Sequence, residues 1–236
     1  MDKTYKLSVP VSMDDITIGQ YQKYVKIVEE NKDVEDNNFI NLKLLNIFCD
    51  ITMKEAYELP ITQFEYIINH LSNILSDKPD LQTRFTMEDP KGKVVEFGFI
   101  PNLDKMTLGE YIDAESYLGD WQNMHKAMSV LYRPIVAGNK NFYKIENYES
   151  SDKYATIMKD APCTVAIGSI LFFLSLGIEL SKTTLDSLLK QQEISKEDLS
   201  VKGSQKNGDG INQYIHLQKE MYLKLTRLQK LIYTKR

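Results

Sequence analysis

The chain has 236 residues, with 29 Lys and Arg against 33 Asp and Glu, a formal net charge of −4, and 42% hydrophobic and 26% charged residues. Such a composition supports a real core and excludes wholesale disorder. The mildly acidic balance excludes a global basic field of the nucleic-acid-binding kind. Two cysteines, Cys49 and Cys163, and three histidines, His70, His125 and His216, exclude a disulfide scaffold and a Cys-rich zinc site. No apolar stretch of secretory length follows Met1, so a reducing compartment and free thiols are expected.

In chain order, Tyr5, Leu7, Val9 and Val11 alternate with polar residues and Pro10, which predicts an edge strand over 5–11. Helical periodicity follows at 18–31, 39–49, 53–58 and 63–75. Next, Leu81, Thr83, Phe85 and Met87 alternate, Asp89-Pro90-Lys91-Gly92 signals a turn, and Val95, Phe97 and Phe99 alternate on the return. Strands at 5–11, 81–87 and 94–100 would form a small antiparallel sheet. A helix is predicted over 108–132, with Gly119 as a bend or break and Arg133-Pro134 as its end. A loop follows at 137–141 and a short helix at 151–159. The uncharged stretch 161–178, with Pro162 and two glycines, falls short of the roughly 20 apolar residues of a spanning helix and reads as a buried helix running towards Leu189, with a membrane span as the less favoured alternative. No membrane span is expected.

The expected fold is mainly α, in the α+β class. Residues 1–201 form a helical domain with a small sheet and a sub-boundary near 77–80. Residues 202–210, with three glycines and no apolar side chain, form a flexible linker, and 211–236 form a tethered C-terminal helix.

One local pattern occurs twice. Ile16-Thr17-Ile18-Gly19-Gln20-Tyr21 matches Met106-Thr107-Leu108-Gly109-Glu110-Tyr111. Each reads as a capping box, with Thr as N-cap and Gln or Glu three residues on, and the apolar residue before Thr placed to pack on the Tyr. Similar boxes are expected at Thr52–Glu55, Thr62–Glu65 and Ser195–Asp198.

Catalytic signatures are missing. No P-loop, G-x-G-x-x-G, H-E-x-x-H or G-x-S-x-G occurs, and no cofactor or metal site is expected. Asp14 and Asp15 fit a helix start better than a metal. Cys49, Cys163 and the lone His125 and His70 read as packed residues, although a nucleophile–base pair assembled by folding stays open. Partner-binding candidates are Met221, Leu225, Leu228 and Ile232, spaced 4, 3, 4 along the C-terminal helix, with Lys224 and Arg227 on its basic side. Packing of that helix back on its own domain is equally open. Tyr143, Tyr148 and Tyr154 form a second candidate group, since Tyr favours half-buried faces and interfaces.

The stretches Asp15–Tyr21, Phe99–Leu103 running into Thr107–Asp113, and Asn123–Met128 running into Leu131–Pro134, with the Phe172-Phe173 helix after Pro162, resemble a family of small virion or assembly proteins of tailed bacteriophages of Bacteroidota, the crAss-like phages among them. The likeness covers most of residues 5–180 as a pattern of elements. It implies a non-enzymatic protein that binds other phage structural proteins, either in the head, portal or tail region of the virion or as a tail-assembly chaperone absent from the mature particle. It places the protein in the virion, or in the host cytoplasm during assembly. A homo-oligomer is compatible with it, nucleic acid is a secondary partner, and an enzyme with a site formed only in the fold is the reading of another class.

Overall fold

A computed structural model describes residues 7–32, 37–89, 91–139 and 142–177, together with 179 and 183. Helix α1 (Ile18–Glu30) starts at a complete capping box. The Thr17 hydroxyl accepts from the Gln20 amide at 3.1 Å, and the Gln20 side chain accepts from the Thr17 amide at 2.9 Å. Satisfying orphan amides in this way fixes the point where a helix begins. After α2 (Asn37–Phe48), Thr52 and Glu55 repeat the arrangement for α3 (Met53–Tyr57). The expected box at Thr62 does not form. Helix α4 (Ile61–Ile74) starts two residues earlier, behind Pro60, whose ring presets φ at −56° and which has no amide to satisfy.

The expected hairpin forms between β1 (Arg84–Glu88) and β2 (Val94–Phe99). Its turn is held by Asp89 Oδ1, which accepts from the amides of Lys91 and Lys93, both at 2.9 Å. Helix α5 (Leu108–Leu118) then starts at the Thr107–Glu110 box. The single helix expected over 108–132 is divided after Gly119. The Asp120 carboxylate accepts from the Gln122 amide at 2.8 Å and caps a 3-10 turn at Trp121–Asn123, from which α6 (Met124–Leu131) resumes.

Two strands differ from expectation. Residues 7–10 are irregular, so the N-terminal strand read at 5–11 is absent over its described part. In its place β3 (Tyr132–Gly138) leaves α6 without a turn and pairs with β2, and β4 (Tyr143–Ile145) completes a sheet of order β1-β2-β3-β4, antiparallel throughout. Much of the stretch read as helix end and loop at 132–141 is therefore strand. Packing explains the choice. Register places Phe97 opposite Phe85 and Phe99 opposite Tyr132. The rings meet at 5.5 Å for Phe85–Phe97 and 5.3 Å for both Phe85–Tyr132 and Phe99–Tyr132. Cross-strand aromatic pairs of this kind stabilise a sheet face.

After α7 (Ala155–Met158), helix α8 (residues 163–177) fills the centre. Val165, Ala166, Ile167 and Ile170 are fully buried, which places the apolar stretch in the core. No helix among the described residues is long and apolar enough to cross a membrane. One hydrophobic cluster runs from Met13 to Leu174 and draws on both sides of the 77–80 stretch. That stretch lies against α8 at Gly168, where a Cβ would fall 2.5 Å from the Asp80 carbonyl oxygen.

Thr17→Ala and Thr107→Ala should each lower stability by about 1 kcal/mol, the usual loss of an N-cap. Gly168→Ala, which would gain about 1 kcal/mol in an open helix, should instead cost about 1–3 kcal/mol through overpacking against residue 80. Urea unfolding followed by circular dichroism reads all three changes.

Candidate partner-binding face

The two matched sequence units are also matched structures. Each begins with a 3-10 turn, Met13–Asp15 in the first and Leu103–Lys105 in the second, behind Ser12 and Asn102 respectively, and runs into a Thr-capped helix. Their surroundings differ. In the first unit Ile18, Tyr21, Gln22 and Val25 are buried. Tyr21 packs on Trp121 with ring centroids 4.5 Å apart, and Gln22 Nε2 donates to the carbonyls of Trp121 and Gln122 at 2.7 and 3.0 Å. The equivalent positions on α5 face outwards. Leu108 is 74% exposed, Ile112 50% and Tyr111 45%. Residues i, i+3 and i+4 share one face of a helix, so these three form a continuous apolar stripe. In sequence the stripe is flanked by the exposed Asp104 and the half-buried Glu115, and Lys105 is the one basic side chain between residues 104 and 120.

The opposite face of α5 is held rigidly. Glu110, Ala114 and Leu118 are buried there. Glu110 does two jobs: it accepts from the Thr107 amide at 2.6 Å in the capping box, and it pairs with Arg133 of β3 at 2.5 Å, with both side chains buried. Burial alone would push the Glu110 carboxyl up. The Thr107 amide and hydroxyl and the Arg133 guanidinium outweigh that and hold it below its ordinary range. The sequence gives Glu110 only the capping role, because Arg133 is brought to it by the unexpected strand.

The tyrosine candidates are half-buried, and their hydroxyls bond within the chain. The Tyr143 hydroxyl donates to the Phe99 carbonyl at 2.8 Å, with the Arg84 guanidinium 4.5 Å over its ring. Tyr148 donates to Asp113 of α5, and Arg133 lies over its ring at 5.4 Å. Tyr154 donates to Glu146 at 2.5 Å. All three hydroxyls therefore have partners within the chain. Met221, Leu225, Leu228, Ile232, Lys224 and Arg227 lie outside the described residues, as do the linker at 202–210 and the Ser195 box.

Along residues 99–104, which lead into α5, runs an open groove of about 400 Å³ lined by the apolar Leu81, Phe99, Leu103 and Phe172 and the polar Asn102 and Asp104. It joins the residues leading into α5 to the middle of α8.

The other chemical candidates have structural positions. Asp15 Oδ2 accepts from the amides of Val11 and Ser12 at 2.8 and 3.0 Å, and Asp14 accepts from the Thr164 hydroxyl at 2.5 Å. His70 Nε2 lies 2.9 Å from the Pro10 carbonyl, and His125 Nδ1 lies 2.9 Å from Gln22 Nε2. Burial, with Lys159 and Lys126 nearby, holds His125 below its ordinary value. Burial pushes the Cys49 thiol up to about 11 and the Cys163 thiol well above its ordinary range, so neither thiolate forms readily near neutrality. Among the described residues no group of three or more His, Cys, Asp or Glu is arranged to hold a metal ion.

No protein-family model, curated protein or solved structure matches the chain.

Glu110→Ala should cost about 3–5 kcal/mol, since it leaves the Arg133 charge buried without its partner. The double change Glu110→Leu with Arg133→Met should cost much less, because no charge is then stranded. The lowered Glu110 value means that its stabilisation is present above the ordinary carboxylate range near 4.5 and is lost as pH falls through the folded value. Urea midpoints of the wild type should therefore drop more steeply below that range than those of Glu110→Gln.

Proposed function

We propose that the protein is a non-enzymatic structural protein that works by docking other proteins on the outer face of α5, and that it serves in the head, portal or tail region of a tailed-phage particle. The observation that carries the docking role is the contrast between two copies of one unit. Ile18 and Gln22 are buried in the first, while Leu108 and Ile112 of the second stand 74% and 50% exposed on a helix whose inner face is fixed. Apolar side chains held in a rigid row, with acidic side chains around them, suit the groove or helix of a protein partner. The buried, hard-to-ionise thiols and the hydrogen-bonded histidines support a binding role over a nucleophilic one. The particle itself comes from the phage-family resemblance of residues 5–180.

A tail-assembly chaperone would use the same face and differ only in leaving the finished particle. Mass spectrometry of purified virions separates the two: stoichiometric copies fit the structural role, and presence in infected-cell lysate alone fits the chaperone. Leu108→Asp with Ile112→Asp should leave the circular dichroism spectrum and the urea midpoint close to wild type, since both positions are exposed. The same pair should abolish incorporation of the protein into particles. Normal incorporation of the folded double variant would sink the docking role of α5.

A further inference from the structure

The α5 face has a candidate occupant within the chain itself. Beyond α8 the sequence continues for 59 residues, 178–236. Residues 1–177 hold 26 acidic and 18 basic side chains, a net −8, whereas 178–236 hold 7 and 11, a net +4. The excess is concentrated at the end, where 211–236 carries six basic residues against Glu220 alone. The same stretch carries the apolar series Met221, Leu225, Leu228 and Ile232. An apolar series interspersed with basic residues complements the exposed Leu108 and Ile112, whose neighbours in sequence include Asp104 and Glu115.

Geometry puts the two within reach. Phe172 of α8 lines the same groove as Asn102, Leu103 and Asp104, so five residues before 177 the chain passes the segment that leads into α5. The 33 residues from 178 to 210 would span roughly 30 Å as a flexible chain. Closing a loop of that length costs little more than closing a short one. A tethered segment also meets its own domain at an effective concentration on the order of millimolar, well above that of a second copy in dilute solution.

We infer that residues 211–236 dock on the α5 face of their own chain, with Met221, Leu225, Leu228 and Ile232 over Leu108 and Ile112, and Lys219, Lys224 and Arg227 towards Asp104 and Glu115. The inference deepens the reading of α5 as the docking face: the segment covers that face in the free protein, and a partner displaces it.

Carbodiimide cross-linking of the full chain, as an equal mixture of light and 15N-labelled protein, tests this. The expected products join Lys219, Lys224 or Lys230 to Asp104 or Glu115 within chains of one isotope. Their yield should fall about tenfold, equivalent to about 1.4 kcal/mol, in two full-length variants: Leu225→Asp with Leu228→Asp, and Leu108→Asp with Ile112→Asp. The first variant changes none of the described residues, so its result stands even if the second were to unfold. Light–heavy products would overturn docking in cis in favour of a second copy. Cross-links from these lysines to other acidic groups such as Glu58 or Glu65, or a yield unchanged in the Leu225→Asp/Leu228→Asp variant, would overturn the inference outright. The two readings fail separately. Intact cross-links with normal particle incorporation of Leu108→Asp/Ile112→Asp would remove the docking function and leave the self-contact. Lost incorporation without cross-links would do the reverse.

Discussion

The amides of Ile18 and Gly19 donate to the carbonyls of Ala161 and Lys159 at 2.9 and 2.7 Å, and the Cys163 amide donates back to Ile16 at 2.7 Å. These bonds tie the capped start of the first helix to the start of the last described one across more than 140 residues of sequence. Gly19 sits so close to the Lys159 carbonyl oxygen that a Cβ would fall 3.1 Å from it. The closure has two consequences. It leads α8 straight into the core, where its uncharged first half, residues 163–170, is buried on all sides. It also uses up the exposed edge of the first capped unit, so that Ile18 and Tyr21 become core residues.

Among the described residues the second unit has no comparable backbone closure. It is anchored from behind, through Glu110, Arg133, Asp113 and Tyr148, while Leu108 and Ile112 on its outer side stay exposed. A buried ion pair is weak evidence for stability in itself, because desolvating two charges offsets much of their attraction. Its effect here is positional. It fixes the first turn of α5 against β3, and with it the direction in which Leu108 and Ile112 point. A flexible helix would lose more conformational entropy on binding than one already held in place.

The charge distribution gives the open face its chemical character. The helical body is acidic and the last 26 residues are basic, so the net charge of −4 conceals two opposed halves. Opposed charge steers an encounter and selects a register, while the apolar side chains supply most of the affinity. A partner suited to this face offers both features, a short apolar row and a basic border.

The sequence by itself determined the features that depend on neighbours within a few residues. The boxes at Thr17, Thr52 and Thr107 are such features, because the hydroxyl, the amides and the Gln or Glu side chain lie within one helical turn. So is the β1–β2 hairpin, whose Asp89 turn closes on itself, and so is the mainly helical character. Thr62 shows the limit of that locality, since Pro60 two residues before it offered an equally good start and prevailed. Tertiary packing alone decided the rest. The strand at Tyr132–Gly138 carries no turn signal after α6 and exists because Phe97 and Phe99, more than 30 residues earlier, present rings to it. The tyrosines at 143, 148 and 154 look alike in sequence as interface residues, yet each hydroxyl is claimed by a group that only the fold brings near. Most clearly, two six-residue units that share Thr, Gly and Tyr and have similar residues between them have opposite surroundings, one in the core and one on the surface. Local chemistry sets how each helix begins, but burial depends on what the distant chain lays against it, and residues 159–163 were laid against only one of the two.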